Sequence, residues 1–241
     1  MIKIENVVLP SPAQWRAVVR GMRNPMNSWE KSDSCVTHIE NPETLNTADF
    51  QFFLGENDLA LMKKLVDAGN DHGKFMRMIP VYADITAPLY WWKEYDTYKV
   101  GTVASSCSTM HKIAAKEFAL DDFSWDQLSN ETFHVGWNTD WGDRDYLDCP
   151  IDCLLDVIAL LNTVRYRYLE TREKTLWWQL IQLLPSSYNQ RRTVTLNYEV
   201  LRNICRKGRR LDHKLDEWRE FCKWALTLPY FKEIIGGVGD E

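Results

Sequence analysis

Apolar residues open the chain in strand-like order at Ile2, Ile4, Val7 and Leu9, and Trp15, Val18, Val19 and Met22 then recur at the spacing of one helical face. Between these runs, Ser11 and Pro12 supply an N-cap and a first-turn proline, so a strand followed by a helix is expected. Residues 25–51 carry Pro, Asn, Ser and Thr without a period and read as a loop able to close over a ligand. Asn57 is expected to cap a helix with Leu59, Met62, Leu65 and Val66 on one face and Gly69 as its stop. Residues 75–83 then read as a strand interrupted by Pro80.

Asp84 is expected to cap a helix with Leu89, Trp92 and Tyr95 on one face, followed by a loop rich in small hydroxyl residues. The Trp91-Trp92 pair with its tyrosines reads as core rather than as a ring-stacking site. Asp121 and Asp122 with Trp125 and Leu128 suggest a short helix, and residues 136–146 a loop. The longest helical pattern, over residues 150–184, carries Leu154, Leu155, Ile158, Leu161 and Val164; it restarts near Thr171 and continues through Leu176, Trp177, Leu180 and Ile181. A stripe of this length is core or subunit contact. Thr193, Val194, Thr195 and Leu196 form a β-prone run, and two helical patterns dense in Arg and Lys follow it.

Composition narrows this picture. At 241 residues with 45% apolar side chains and eleven Trp, the chain holds enough material for a real core and is expected to form one α+β domain over residues 1–241. The acidic, aromatic segment 118–148 is expected to be a solvated, partner-facing insertion. No apolar run nears the roughly twenty residues that span a bilayer, and the N-terminus lacks a basic region before a long apolar one, so no membrane association and a cytoplasmic location are expected. Of the six cysteines only Cys149 and Cys153 lie close together, with no second pair at zinc-ligand spacing; reduced core thiols and no metal are the expectation.

Charge is uneven. The chain carries a net charge of -5, yet the stretch from residue 191 to 223 holds ten basic residues against five acids. Such an island in an acidic protein fits a phosphate site better than general nucleic-acid binding, which goes with an overall basic domain. Its alternative is a solvated helical face with Arg and Lys paired to nearby acids.

Leu184-Pro185, Asn197, Leu201, Asn203, Arg209, Glu217 and Arg219 follow one another at intervals that resemble the C-terminal half of the flavin-dependent thymidylate synthases. The resemblance implies an antiparallel sheet packed with long helices and a homotetramer with shared active sites. It also implies methylation of dUMP to dTMP, with FAD as cofactor and NADPH and methylenetetrahydrofolate as co-substrates. By the same resemblance, Asn197 and Asn203 meet the flavin, Arg209 holds the nucleotide phosphate, and Glu217 orients Arg209 or pairs with Lys214. Amide and guanidinium groups suit these roles, the first as donor and acceptor, the second as a two-pronged donor.

The chain departs from that family at its signature. Counted from Gly69, the Arg-His-Arg triplet falls on Asp96, Thr97 and Tyr98, while His72 stands displaced in the preceding turn. Ser105, Ser106 and Ser108 keep a hydroxyl-rich phosphate-binding loop, Lys93 and Lys99 flank the lost triplet as substitute charges, and Tyr98 is a candidate to stack on a planar ring. Cys107, among the serines and near His111, is a candidate nucleophile, although the family needs none. The alternatives are a related pyrimidine modification such as hydroxymethylation, or a non-catalytic nucleotide-binding relative that has lost flavin.

Overall fold

The computed structural model describes residues 2–39, 49–98, 100–139 and 142–236. In chain order the elements are β1 (Lys3–Val8), α1 (Pro12–Arg23), β2 (Cys35–Ile39), β3 (Asp49–Phe53), α2 (Glu56–Asp67), β4 (Pro80–Pro88), α3 (Leu89–Tyr95) and β5 (Val103–Ser106). They continue with β6 (Phe133–Thr139), β7 (Gly142–Asp148), α4 (Pro150–Thr171), α5 (Lys174–Leu183), β8 (Asn189–Asn197), α6 (Tyr198–Ile204), α7 (Asp216–Leu226) and α8 (Phe231–Ile235). One sheet runs β1-β4-β8-β5, and β2-β3 and β6-β7 are separate antiparallel hairpins. The class is α+β with an antiparallel sheet, as expected.

Two compact units alternate along the chain. Residues 86–95 and 106–192 make the first; residues 2–85, 96–105 and the chain from 193 onward make the second. In the first unit, Leu154, Ile158, Leu161 and Val164 of α4 meet Leu176 and Leu180 of α5. Leu155, expected on that face, is instead 43% exposed. The break between the helices falls at Arg172, whose φ of 59° reverses the chain. Phe118 and Phe123 join this core, so the acidic segment begins inside the fold rather than as a solvated insertion. Its expected short helix is a 3₁₀ turn at Leu120–Asp122, and its expected loop is the β6-β7 hairpin. Trp91, Trp92 and Tyr95 are buried and pack ring on ring, as core residues.

In the second unit, α1 buries Trp15, Val18, Val19 and Met22, and Ser11 closes a capping box with Gln14. Residues 25–51 are not a plain loop: two 3₁₀ turns lead into the β2-β3 hairpin, whose central residues lie outside those described. Asn57 does not cap α2. Both carboxylate oxygens of Asp33 accept from the backbone N–H groups of Asn57 and Asp58 at 2.8 and 3.1 Å, a cap from 24 residues upstream. Gly55 stands at the start because a Cβ there would lie 2.1 Å from the Asp33 carboxylate.

Pro80 opens β4 instead of interrupting a strand, and the residues before it form a 3₁₀ helix, Gly73–Met78. Asp84 lies within β4 rather than capping a helix; its carboxylate accepts from Asn6 at 2.8 Å and Thr193 at 2.5 Å. Along β4, Val81, Ala83 and Ile85 are buried at the two-residue period of a strand face. The six cysteines are all free thiols, but only Cys149, Cys205 and Cys222 are buried; Cys35, Cys107 and Cys153 are exposed, against the expectation of core thiols. Among the described residues no helix is long and apolar enough to cross a membrane.

Candidate functional site

Half of the basic island lies between the two expected helices rather than on them. Between α6 and α7 the chain makes a run of turns, and Arg206, Lys207, Arg209, Arg210 and Lys214 lie in it. Gly208, at φ 76°, allows the reversal, and its N–H donates to the Asp212 carboxylate at 2.9 Å. This turn and the residues after α3 border an open cleft of about 480 Å³, lined by Thr97, Tyr98, Gly208, Arg209 and Arg210.

Arg210 organises the cleft wall. Its guanidinium carbon lies 4.5 Å from the centroid of the buried Trp218 ring, and its Nε donates to the Tyr98 hydroxyl at 3.0 Å. Tyr98 meets Trp218 edge-on at 6.0 Å. Arg209, by contrast, is exposed, and among the described residues it makes only a 3.4 Å contact with the carbonyl of Asn203. One guanidinium is therefore held for structure while its neighbour faces solvent with donors to spare.

Two further arginines are tied to α6. Burial, and next the charge of Arg206, push the half-buried Arg202 guanidinium below its ordinary basicity. Arg77 grips the Glu199 carboxylate through two hydrogen bonds, one of 2.9 Å, which raises its pKa and occupies the acid of α6.

Asn197 is the N-cap of α6: its Oδ1 accepts from Val200 N at 3.0 Å. Its Nδ2 reaches the Gly101 carbonyl at 3.4 Å, a weak bond that leaves donor capacity for a ligand. Gly101 permits this approach, since φ is 81° and a Cβ would lie 3.0 Å from that Nδ2. The Asn203 side chain makes no hydrogen bond to the described residues. Glu217 is buried on α7, and Arg219 pairs with Asp216 and the carbonyls of His213 and Lys214.

Ser105 and Ser106 are exposed at the end of β5, a strand where a loop was expected. In the first unit, Cys107 is exposed, its N–H donating to the Arg191 carbonyl at 2.9 Å and its own carbonyl accepting from the Gln190 amide at 2.7 Å. Ser108 is engaged locally: its Oγ accepts from His111 N at 2.9 Å. Lys99 lies outside the described residues. His72 is exposed in its turn, and Lys93 is exposed on α3.

Among the described residues, Asp148, Cys149 and Asp152 bring ligand-type atoms within 4.8 Å of one another. The arrangement is a helix start: Cys149 precedes α4, and its thiol donates to Asp152 at 3.0 Å, which raises the thiol pKa. The structure thus brings Arg209 together with Tyr98 and Asn203, and it adds Thr97, Arg210 and Gly208. Arg210 was visible in the basic run, but nothing in that run separates a structural arginine from a ligand-facing one.

No family model matches the sequence, and no curated protein matches it. Solved structures do match. Thymidylate synthase X from Helicobacter pylori, solved with FAD and dUMP, superposes on 99% of this chain and 97% of its own, with a TM-score of 0.60 and 14% identity. A UMP/dUMP methylase, PolB, from Streptomyces cacaoi, bound with 5-Br dUMP, covers 93% of this chain and 87% of its own, with a TM-score of 0.56 and 12% identity. The chain has the fold of these enzymes.

Proposed function

We propose that the protein is a flavin-dependent enzyme that modifies dUMP, transferring the methylene carbon of methylenetetrahydrofolate to C5 of the pyrimidine to give dTMP. The observation that carries this reading is the cleft at Arg209, on a fold shared from end to end with enzymes solved with FAD and dUMP. Its volume of about 480 Å³ suits a mononucleotide.

Arg209 holds the nucleotide phosphate with its free donors, and Ser105 of the same unit is a further hydroxyl for that contact. Asn197 and Asn203 offer amide groups to the flavin, which fits their spare hydrogen-bonding capacity. When bound there and reduced by NADPH, FAD would supply the hydride that turns the transferred methylene into a methyl group. The protein's own work is positioning and charge stabilisation, and Cys107 is not needed as a nucleophile. The reading extends to a homotetramer, checked by sedimentation.

A second reading, a nucleotide-binding relative without flavin, is favoured by Thr97 and Tyr98, which stand in the cleft at positions the family fills with basic residues. The visible absorption spectrum separates the two. A flavin spectrum that shifts on adding dUMP, with dUMP affinity falling at least tenfold in Arg209→Ala, supports the enzyme reading. A colourless protein that takes up no added FAD refutes it, and unchanged dUMP affinity in Arg209→Ala removes the phosphate site.

A further inference from the structure

A second cavity, of about 270 Å³, lies against α1 in the second unit and shares no lining residue with the Arg209 cleft. We propose that it binds a small organic phosphate carrying a planar ring, of the size of a nucleoside monophosphate. The inference stands independently of the activity proposed above.

Charge sets the ligand class. Arg16 and Arg20 line the cavity one helical turn apart, a spacing that puts side chains of one face within about 5–6 Å. Both are exposed, and neither has an ion-pair partner among the described residues. α1 itself contains no acid, and among the described residues no acid lines the cavity. Two unneutralised guanidiniums side by side match a phosphate, which accepts the paired donors of each.

The back wall is already built. Arg23, the third arginine of α1, is buried and ion-paired at 2.5 Å to the fully buried Asp58. The same carboxylate accepts from the hydroxyls of Ser32 and Ser34 at 2.7 and 2.6 Å and from Ser34 N at 3.1 Å. This pair is neutral and satisfied, so the positive charge left to a ligand is that of Arg16 and Arg20.

The ring is implied by Trp29. Its side chain is 49% exposed, yet its indole N–H donates to the Asn24 side chain at 2.8 Å, which fixes the ring while leaving it uncovered. Phe52 and Val19 add apolar lining beside it. A planar ring against the indole with its phosphate on the arginines uses every feature of the cavity. The volume, just under the usual range for ligand pockets, matches a ligand of mononucleotide size.

Calorimetric titration of the full chain with AMP, ribose 5-phosphate and inorganic phosphate tests this, each repeated in an Arg209→Ala background so that the other cleft does not report. AMP binding at one site that persists in Arg209→Ala, and that weakens at least tenfold in Arg16→Gln/Arg20→Gln, is the expected result. Trp29→Leu should weaken AMP several-fold and leave inorganic phosphate unchanged. Absence of AMP binding, or AMP affinity that ignores Arg16→Gln/Arg20→Gln, overturns the proposal. Equal affinity for AMP and inorganic phosphate, untouched by Trp29→Leu, overturns its ring half. Loss of flavin or dUMP binding leaves these readouts standing, so the two readings fail separately.

Discussion

Replacing Asp58 with Asn keeps the shape of the side chain and removes its charge from a fully buried site. In the native fold that carboxylate faces one guanidinium, two hydroxyls and one backbone N–H, and Arg23 is itself only 4% exposed. Asp58→Asn leaves the Arg23 charge buried, with the Ser28 carbonyl at 3.1 Å as its main remaining acceptor, and turns an amide N–H toward groups that donate. Breaking a buried pair from one side costs about 3–5 kcal/mol, a large share of the roughly 5–15 kcal/mol that holds a domain folded. For a chain of this size that is a fall in Tm of roughly 6–20 °C, read by calorimetry or circular dichroism. The double variant Arg23→Leu/Asp58→Leu should recover at least half of the loss, because no charge is then stranded. A fall under about 2 °C in Asp58→Asn, or a double variant worse than either single change, would refute the account of this network.

The same group makes stability acid-sensitive. Burial raises the Asp58 pKa, but hydrogen bonds from Ser34, Ser32 and Arg23, with the charge of Arg23, outweigh it and hold the carboxyl below its ordinary value. A depressed folded pKa adds stability above the unfolded value of about 3.9 and loses it as pH falls further, so the gap between wild type and Asp58→Asn should stay constant near neutrality and shrink below about pH 4. Gly101→Ala forces a left-handed residue to carry a Cβ beside Asn197, and about 1–2 kcal/mol of stability should be lost; an unchanged Tm contradicts the reading of that turn. Arg210→Met removes the hydrogen bond to Tyr98 and the stacking on Trp218, and should lower stability by about 1 kcal/mol, with Tyr98→Phe costing less. Cys107→Ser should retain turnover, measured as dTMP formed; loss of turnover would restore the thiol to the mechanism.

Where a pattern is local, it was legible. The α1 stripe from Trp15 to Met22 and its Ser11 cap follow from spacing within a single element. Asp33 as the cap of α2 was not legible, because it comes from a separate loop and only Gly55 hints at the close approach. Asp84 looked like a helix cap by residue type, yet its partners Asn6 and Thr193 are distant in sequence and draw it into a strand. In the candidate site the basic run was plain, and the assignment of Arg209 to ligand and Arg210 to structure was not. That division depends on where Trp218 and Tyr98 come to lie, which no local period encodes. Arg16 and Arg20 carry no signal in the sequence, because on an amphipathic helix they look like any solvated face.

The order β1-β4-β8-β5 has a consequence for the newly made chain. β8 pairs with both β4 and β5, yet it starts at Asn189, about a hundred residues after β4 ends at Pro88. At roughly 5–20 residues per second, β4 leaves the ribosome some 5–20 seconds before its inner neighbour exists. During that interval Val81, Ala83 and Ile85 belong to a strand with an unpaired edge, the kind of surface that recruits other chains. The segment from 189 to 197 therefore ends a period of exposure as well as completing a sheet, and slowing its synthesis should cost yield through aggregation before it costs anything in the finished fold.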